Sequence, residues 1–101
     1  MERRLQGYIT TTYDALIKVF GVPRVRDNSI GWRMTAVSPF TGKSMVVMIF
    51  TWNETFLNMG PNVSDWLIVG TNPDVIGWVL LEMDRFEEYP SMMRVGQPMN
   101  A

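Results

Sequence analysis

The sequence predicts an α+β domain: a small antiparallel sheet of three or four strands with two helices, in the order α-β-β-β-α. Three observations carry this. Tyr13, Leu16, Ile17 and Phe20 fall at i, i+3, i+4 and i+7, which is one face of a helix. Two apolar segments, 31–38 and 44–53, flank Pro39-Phe40-Thr41-Gly42-Lys43, whose residues suit a hairpin loop. A third apolar run, Asp65-Trp66-Leu67-Ile68-Val69, breaks at Gly70 and turns into a long apolar helix. The short hairpin-type connections leave no crossover, so both helices are expected on one face of the sheet.

The elements follow in order. Residues 5–10 form at most a short extended arm. Thr11 or Thr12 caps the first helix, Gly21 ends it, and Pro23 prevents its continuation. In the hairpin, Trp32, Met34 and Ala36 alternate with Arg33, Thr35 and Val37, while 45–50 is continuously apolar. A continuous run predicts a central strand covered on both faces. Residues 54–64, rich in Asn, Gly and Pro, read as a loop. The second helix is expected over about 73–88, with Asn72 as cap, Pro73 in its first turn and Pro90 beyond its end. Residues 1–90 thus make one compact domain. The tail, 91–101, carries Met92, Met93, Pro98 and Met99 and is expected to be mobile or held by a partner.

The second helix carries more apolar surface than a sheet needs. Val75, Ile76, Val79, Leu80, Met83 and Phe86 make one wide stripe, and Trp78 and Leu81 fall outside it. Trp78 and Leu81 are therefore the expected interface of a homo-oligomer. Four Trp and nine Met in 101 residues favour such a surface, because Trp is a common hot spot and Met adapts to irregular partners.

Composition excludes several classes. With 47% hydrophobic and 19% charged residues the chain is globular, not disordered. A net charge of −1 with scattered basic residues predicts no nucleic-acid partner. There is no cysteine and no histidine, which removes thiolate sites, the commonest general base and the commonest metal ligand. No apolar run approaches the roughly 18 residues of a membrane span. Met1-Glu2-Arg3-Arg4 is followed by polar residues, unlike a signal peptide, so a cytoplasmic location is expected.

No spacing among the carboxylates marks an acid pair or a metal loop. Glu82, Asp84, Glu87 and Glu88 read as a solvated helix face. The chain is therefore expected to be no enzyme, with no catalytic residue, metal or cofactor. Binding is better supported. Gly70-Thr71-Asn72, at a helix start beside Asp74, presents backbone N–H groups, a hydroxyl and an amide to an anion. Arg33 and Lys43, with Arg24 and Arg26, add positive charge, and Tyr13, Trp52 and Phe40 are candidates to stack on a base. A capped helix that binds nothing explains the same turn.

The segment Tyr13-Asp14-Ala15-Leu16-Ile17-Lys18-Val19-Phe20-Gly21-Val22-Pro23, a Trp in the next strand, Trp52-Asn53, and Trp66-Leu67-Ile68-Val69-Gly70 before a helix resemble small proteins of tailed bacteriophages. The likeness covers residues 13–81. The chain departs from that pattern at Val69, where the family carries the first of two glycines, and in lacking a His after the Trp. The family comes without an established activity, so the resemblance implies a phage origin. Small phage accessory proteins that bind without doing chemistry often counter host defences. The function expected is a counter-defence protein in the host cytoplasm that sequesters a small anionic, nucleotide-like signal as a homo-oligomer. The alternative is a protein-binding inhibitor of a host defence complex, of anti-CRISPR type.

Overall fold

A computed structural model of the chain describes residues 3–59 and 64–95. Its order is β1 (Arg4–Thr11), α1 (Tyr13–Phe20), β2 (Arg24–Val25), β3 (Ser29–Val37), β4 (Ser44–Trp52), α2 (Asn53–Met59), β5 (Ser64–Gly70), α3 (Asp74–Arg85) and β6 (Met92–Val95). The strands form one antiparallel sheet in the order β2-β3-β4-β5-β1-β6. The expected sheet of three or four strands with two helices is thereby corrected: among the described residues there are six strands and three helices.

Each addition has a physical cause. The arm before α1 is strand β1, inserted between β5 and β6. Its Gly7, Ile9 and Thr11 point inward and are buried. Gly7 is required there, since a Cβ would come within 2.2 Å of the Arg94 carbonyl oxygen on β6. Part of the expected tail is β6, which pairs with β1 through Gly7–Val95, Tyr8–Arg94, Ile9–Met93 and Thr10–Met92. The rest of that tail, with Pro98 and Met99, lies outside the described residues, as do 60–63. The expected loop after β4 opens as α2, anchored by Phe56, which packs edge-on to Tyr13 with ring centroids 4.8 Å apart.

Helix α1 follows its local signals. The Thr12 hydroxyl accepts from Ala15 N at 3.1 Å, and Gly21 adopts φ 85° while its N–H donates to the Ile17 carbonyl. Helices α1, α2 and α3 all lie on one face of the sheet. Their apolar sides meet Ile9, Trp32, Met45, Val47, Ile49, Trp66 and Ile68 in a single core. An aromatic cluster of Tyr13, Phe20, Trp32, Phe56 and Trp66 closes one end of it.

Strand β4 is not covered on both faces, as its apolar run predicted. Met45, Val47, Ile49 and Thr51 are buried, whereas Val46, Met48 and Phe50 are half-buried and Trp52 is exposed. No helix of the described chain covers that second, outer face. On α3 the buried residues are Val75, Ile76, Val79 and Met83, while Leu80 on the helix and Phe86 just past its end leave the expected stripe and are exposed. Among the described residues no helix is long and apolar enough to cross a membrane.

Candidate functional site

The turn before α3 is packed from within. Gly70 faces the core, where a Cβ would stand 2.5 Å from Val75 Cγ1 and 2.9 Å from the Val46 carbonyl oxygen. The glycine thus serves close packing, and its φ is not positive. Asn72 Oδ1 accepts from Asp74 N at 2.8 Å, so Asn72 supplies the cap although the helix is bounded at Pro73. The Asp74 carboxylate sits at the positive end of the helix and accepts from the buried Ser38 hydroxyl at 2.7 Å. Ser38 Oγ also accepts from Phe40 N and Thr41 N, each at 3.1 Å. An incoming anion would meet this resident carboxylate. Thr71 Oγ1 is buried without a hydrogen-bond partner.

The other expected site residues scatter. Tyr13 belongs to the core cluster, stacked on Trp66 with centroids 6.1 Å apart and planes at 11°. Lys43 lies in the exposed loop between β3 and β4. Trp78 is half-buried against Phe20, with centroids 6.0 Å apart, and Leu81 is half-exposed on α3. Arg33 and Trp52 share a surface with Arg24 and Arg26, and it is the outer face of the sheet.

That face carries a concavity built from several strands. A cleft of about 410 Å³ opens there, within the range of roughly 300–1,000 Å³ for small-molecule sites. Met48, Phe50 and Gly31 form its floor, and Arg3, Arg24, Arg26 and Arg33 surround it. Strand pairing positions them: Arg24 lies beside Gly31, Gly31 beside Phe50, and Arg33 beside Met48. Trp52 flanks the floor, edge-on to Phe50 with centroids 5.3 Å apart. Among the described residues no ion pair engages these four arginines; the pairs present are Lys18–Glu88 at 3.3 Å and Arg85–Glu82 at 2.9 Å on the helix side.

The fold partly segregates charge that the sequence intersperses, with Asp27 and Asp65 as exceptions on the arginine side and Arg85 on the helix side. Asp14, Glu54, Asp74, Glu82 and Asp84 lie on the helices and Glu88 pairs with Lys18 of α1, while arginines gather on the opposite face. Four guanidinium groups around one cleft repel one another until an anion joins them, and their planar forks suit phosphate and carboxylate oxygens. The Phe50 ring beneath them offers a flat apolar contact. Sequence reading identified Arg33, Arg24 and Arg26 as positive charges but missed Arg3 and the Phe50 floor, because only strand register brings them together.

No family model matches the chain, and no curated protein or solved structure matches it either.

Proposed function

We propose that the chain is a binding protein for a small anionic ligand with a planar apolar part, of nucleotide chemistry, held on the outer face of the sheet. The observation that carries this is the arginine-rimmed cleft over Phe50 and Met48. Arg3, Arg24, Arg26 and Arg33 would hold the phosphate, and Phe50 with Trp52 the base. The ligand site moves from the turn at Gly70, Thr71 and Asn72 to the sheet surface, and the class of ligand stays. Joined to the likeness to tailed-phage proteins, the reading extends to counter-defence: the chain would sequester a host nucleotide signal and do no chemistry on it.

Calorimetry with nucleoside monophosphates, cyclic nucleotides and cyclic ADP-ribose variants tests this. Binding is expected, and Arg33→Ala or Arg24→Ala should weaken it by about tenfold each, the equivalent of one charge-assisted contact. No heat with any of these ligands, from protein shown to be folded, defeats the proposal.

A second reading draws on the helix side, where Glu82 and Asp84 lie beside exposed Leu80, Leu81 and Phe86. An acidic, apolar surface of this kind suits a protein target or a second copy. Light scattering over a range of concentrations, with Leu81→Glu as control, tests self-association there.

A further inference from the structure

One row of the outer face crosses the entire sheet in register. Arg24 on β2 pairs with Gly31 on β3, Gly31 with Phe50 on β4, Phe50 with Leu67 on β5, Leu67 with Tyr8 on β1, and Tyr8 with Arg94 on β6. Paired residues point to the same side of a sheet, so these six positions form one line. Five inter-strand steps of ~4.8 Å make it about 24 Å long. Arginines close both ends, and aromatic rings stand at two positions between them. The far end is ordered by its own contacts: the Arg94 guanidinium lies 5.1 Å from the centre of the Tyr8 ring and donates to its hydroxyl at 2.5 Å.

We infer that this row is a track for single-stranded nucleic acid, with the arginine cleft as one end and Tyr8–Arg94 as the other. The inference rests on the proposed nucleotide reading of the cleft and extends it from a mononucleotide to an oligonucleotide of about four residues, the low end of known single-strand sites. The chemistry required is present along the line: rings for sequence-tolerant stacking, and cations spaced for a repeating phosphate backbone. The net charge of −1 does not oppose it, because the acidic residues of α1, α2 and α3 lie behind the sheet. Asp65, held by the Thr10 hydroxyl at 2.5 Å, shares the outer face near the row, and Asp27 follows Arg26 in the turn between β2 and β3, beside the arginine end. A second copy stacked on this face by a two-fold axis fits less well, since a row with cations at both ends would set arginine against arginine.

The test uses fluorescence anisotropy with labelled thymidine oligonucleotides of two, four and eight residues, beside calorimetry with thymidine monophosphate. Affinity should rise steeply up to about four residues and fall linearly in log–log plots against salt, as expected when phosphate contacts release counterions. A blunt duplex should bind at least about tenfold more weakly than the single strand, because its bases are stacked on each other and not offered to the rings. Arg94→Gln and Tyr8→Leu should each weaken the tetranucleotide by about fivefold or more and leave the monophosphate unchanged, whereas Arg33→Ala should weaken both. Arg94 is exposed, so its variant keeps the fold, which circular dichroism checks. A tetranucleotide bound no tighter than the monophosphate, or indifferent to Arg94→Gln, overturns the track and spares the cleft. Absence of both forms of binding overturns the cleft as well. Equal affinity for duplex and single strand, or a dimer in sedimentation that buries this face, also overturns the track.

Discussion

Gly31 lies opposite Phe50 in the β3–β4 ladder, and a Cβ on Gly31 would stand 2.6 Å from the Phe50 Cβ and 2.1 Å from the Ile49 carbonyl oxygen. The glycine lets the two backbones and the aromatic residue approach closely at the floor of the cleft. Gly31→Ala should therefore destabilise the protein by about 1–3 kcal/mol, the cost of overpacking a tight contact. It should also weaken nucleotide binding by displacing Phe50. Urea unfolding reads the first effect as a lower midpoint at unchanged slope, and calorimetry reads the second.

Tyr13 separates core from site. Its ring contacts Trp66, Phe56 and Trp32 on the helix side of the sheet, away from the arginines. Tyr13→Ala should cost about 2–4 kcal/mol through lost burial and the cavity left behind. Ligand affinity of the folded fraction should stay at the wild-type value. A parallel loss of affinity at a temperature where the variant is fully folded would return Tyr13 to the binding site.

The turn before α3 makes opposite predictions at adjacent residues. Thr71 Oγ1 is buried without a partner, so Thr71→Val keeps the shape and removes an unsatisfied oxygen. That change should be neutral or stabilising by up to about 1 kcal/mol. Asn72→Ala removes the acceptor for Asp74 N and should cost about 1 kcal/mol. Neither should alter nucleotide affinity if the proposed site is the outer face of the sheet, away from this turn. Thermal melts of the two variants, paired with one ligand titration each, check all three statements.

Past the end of α3, the Tyr89 hydroxyl titrates above its ordinary value because it donates to the Asp84 carboxylate, whose charge, with that of Glu87, also opposes the phenolate. A raised value in the folded state means stabilisation that is complete below the ordinary tyrosine range and lost as pH rises through the folded value. Asp84→Asn should bring the Tyr89 titration down toward the ordinary range, and Tyr89→Phe should remove this alkaline dependence. Ring resonances of Tyr89 followed by NMR against pH report the shift directly; an unmoved titration in Asp84→Asn would exclude the contact.

Local signals were enough for α1, for the β3–β4 hairpin and for the β5–turn–α3 unit. In α1 the stripe of Tyr13, Leu16, Ile17 and Phe20, the Thr12 cap and Gly21 all act within one short segment, so no distant residue has to be known. Asn72 was legible as a cap for the same reason. Strands β1 and β6 were not, because neither pairs with a neighbour in sequence: β1 joins β5 some sixty residues away and β6 more than eighty. Their few apolar residues acquire meaning only when Ile9 and Met93 meet the core. The candidate site has the same character. Its arginines were visible one at a time, but Tyr8, Arg24, Gly31, Phe50, Leu67 and Arg94 have no common spacing along the chain. They share one line only because strand order and register place them there. The amphipathic elements and their caps were thus determined by the sequence alone. The face bearing positive charge was decided by long-range strand pairing, which sorts side chains between two sides of a sheet in a way that composition and net charge do not record.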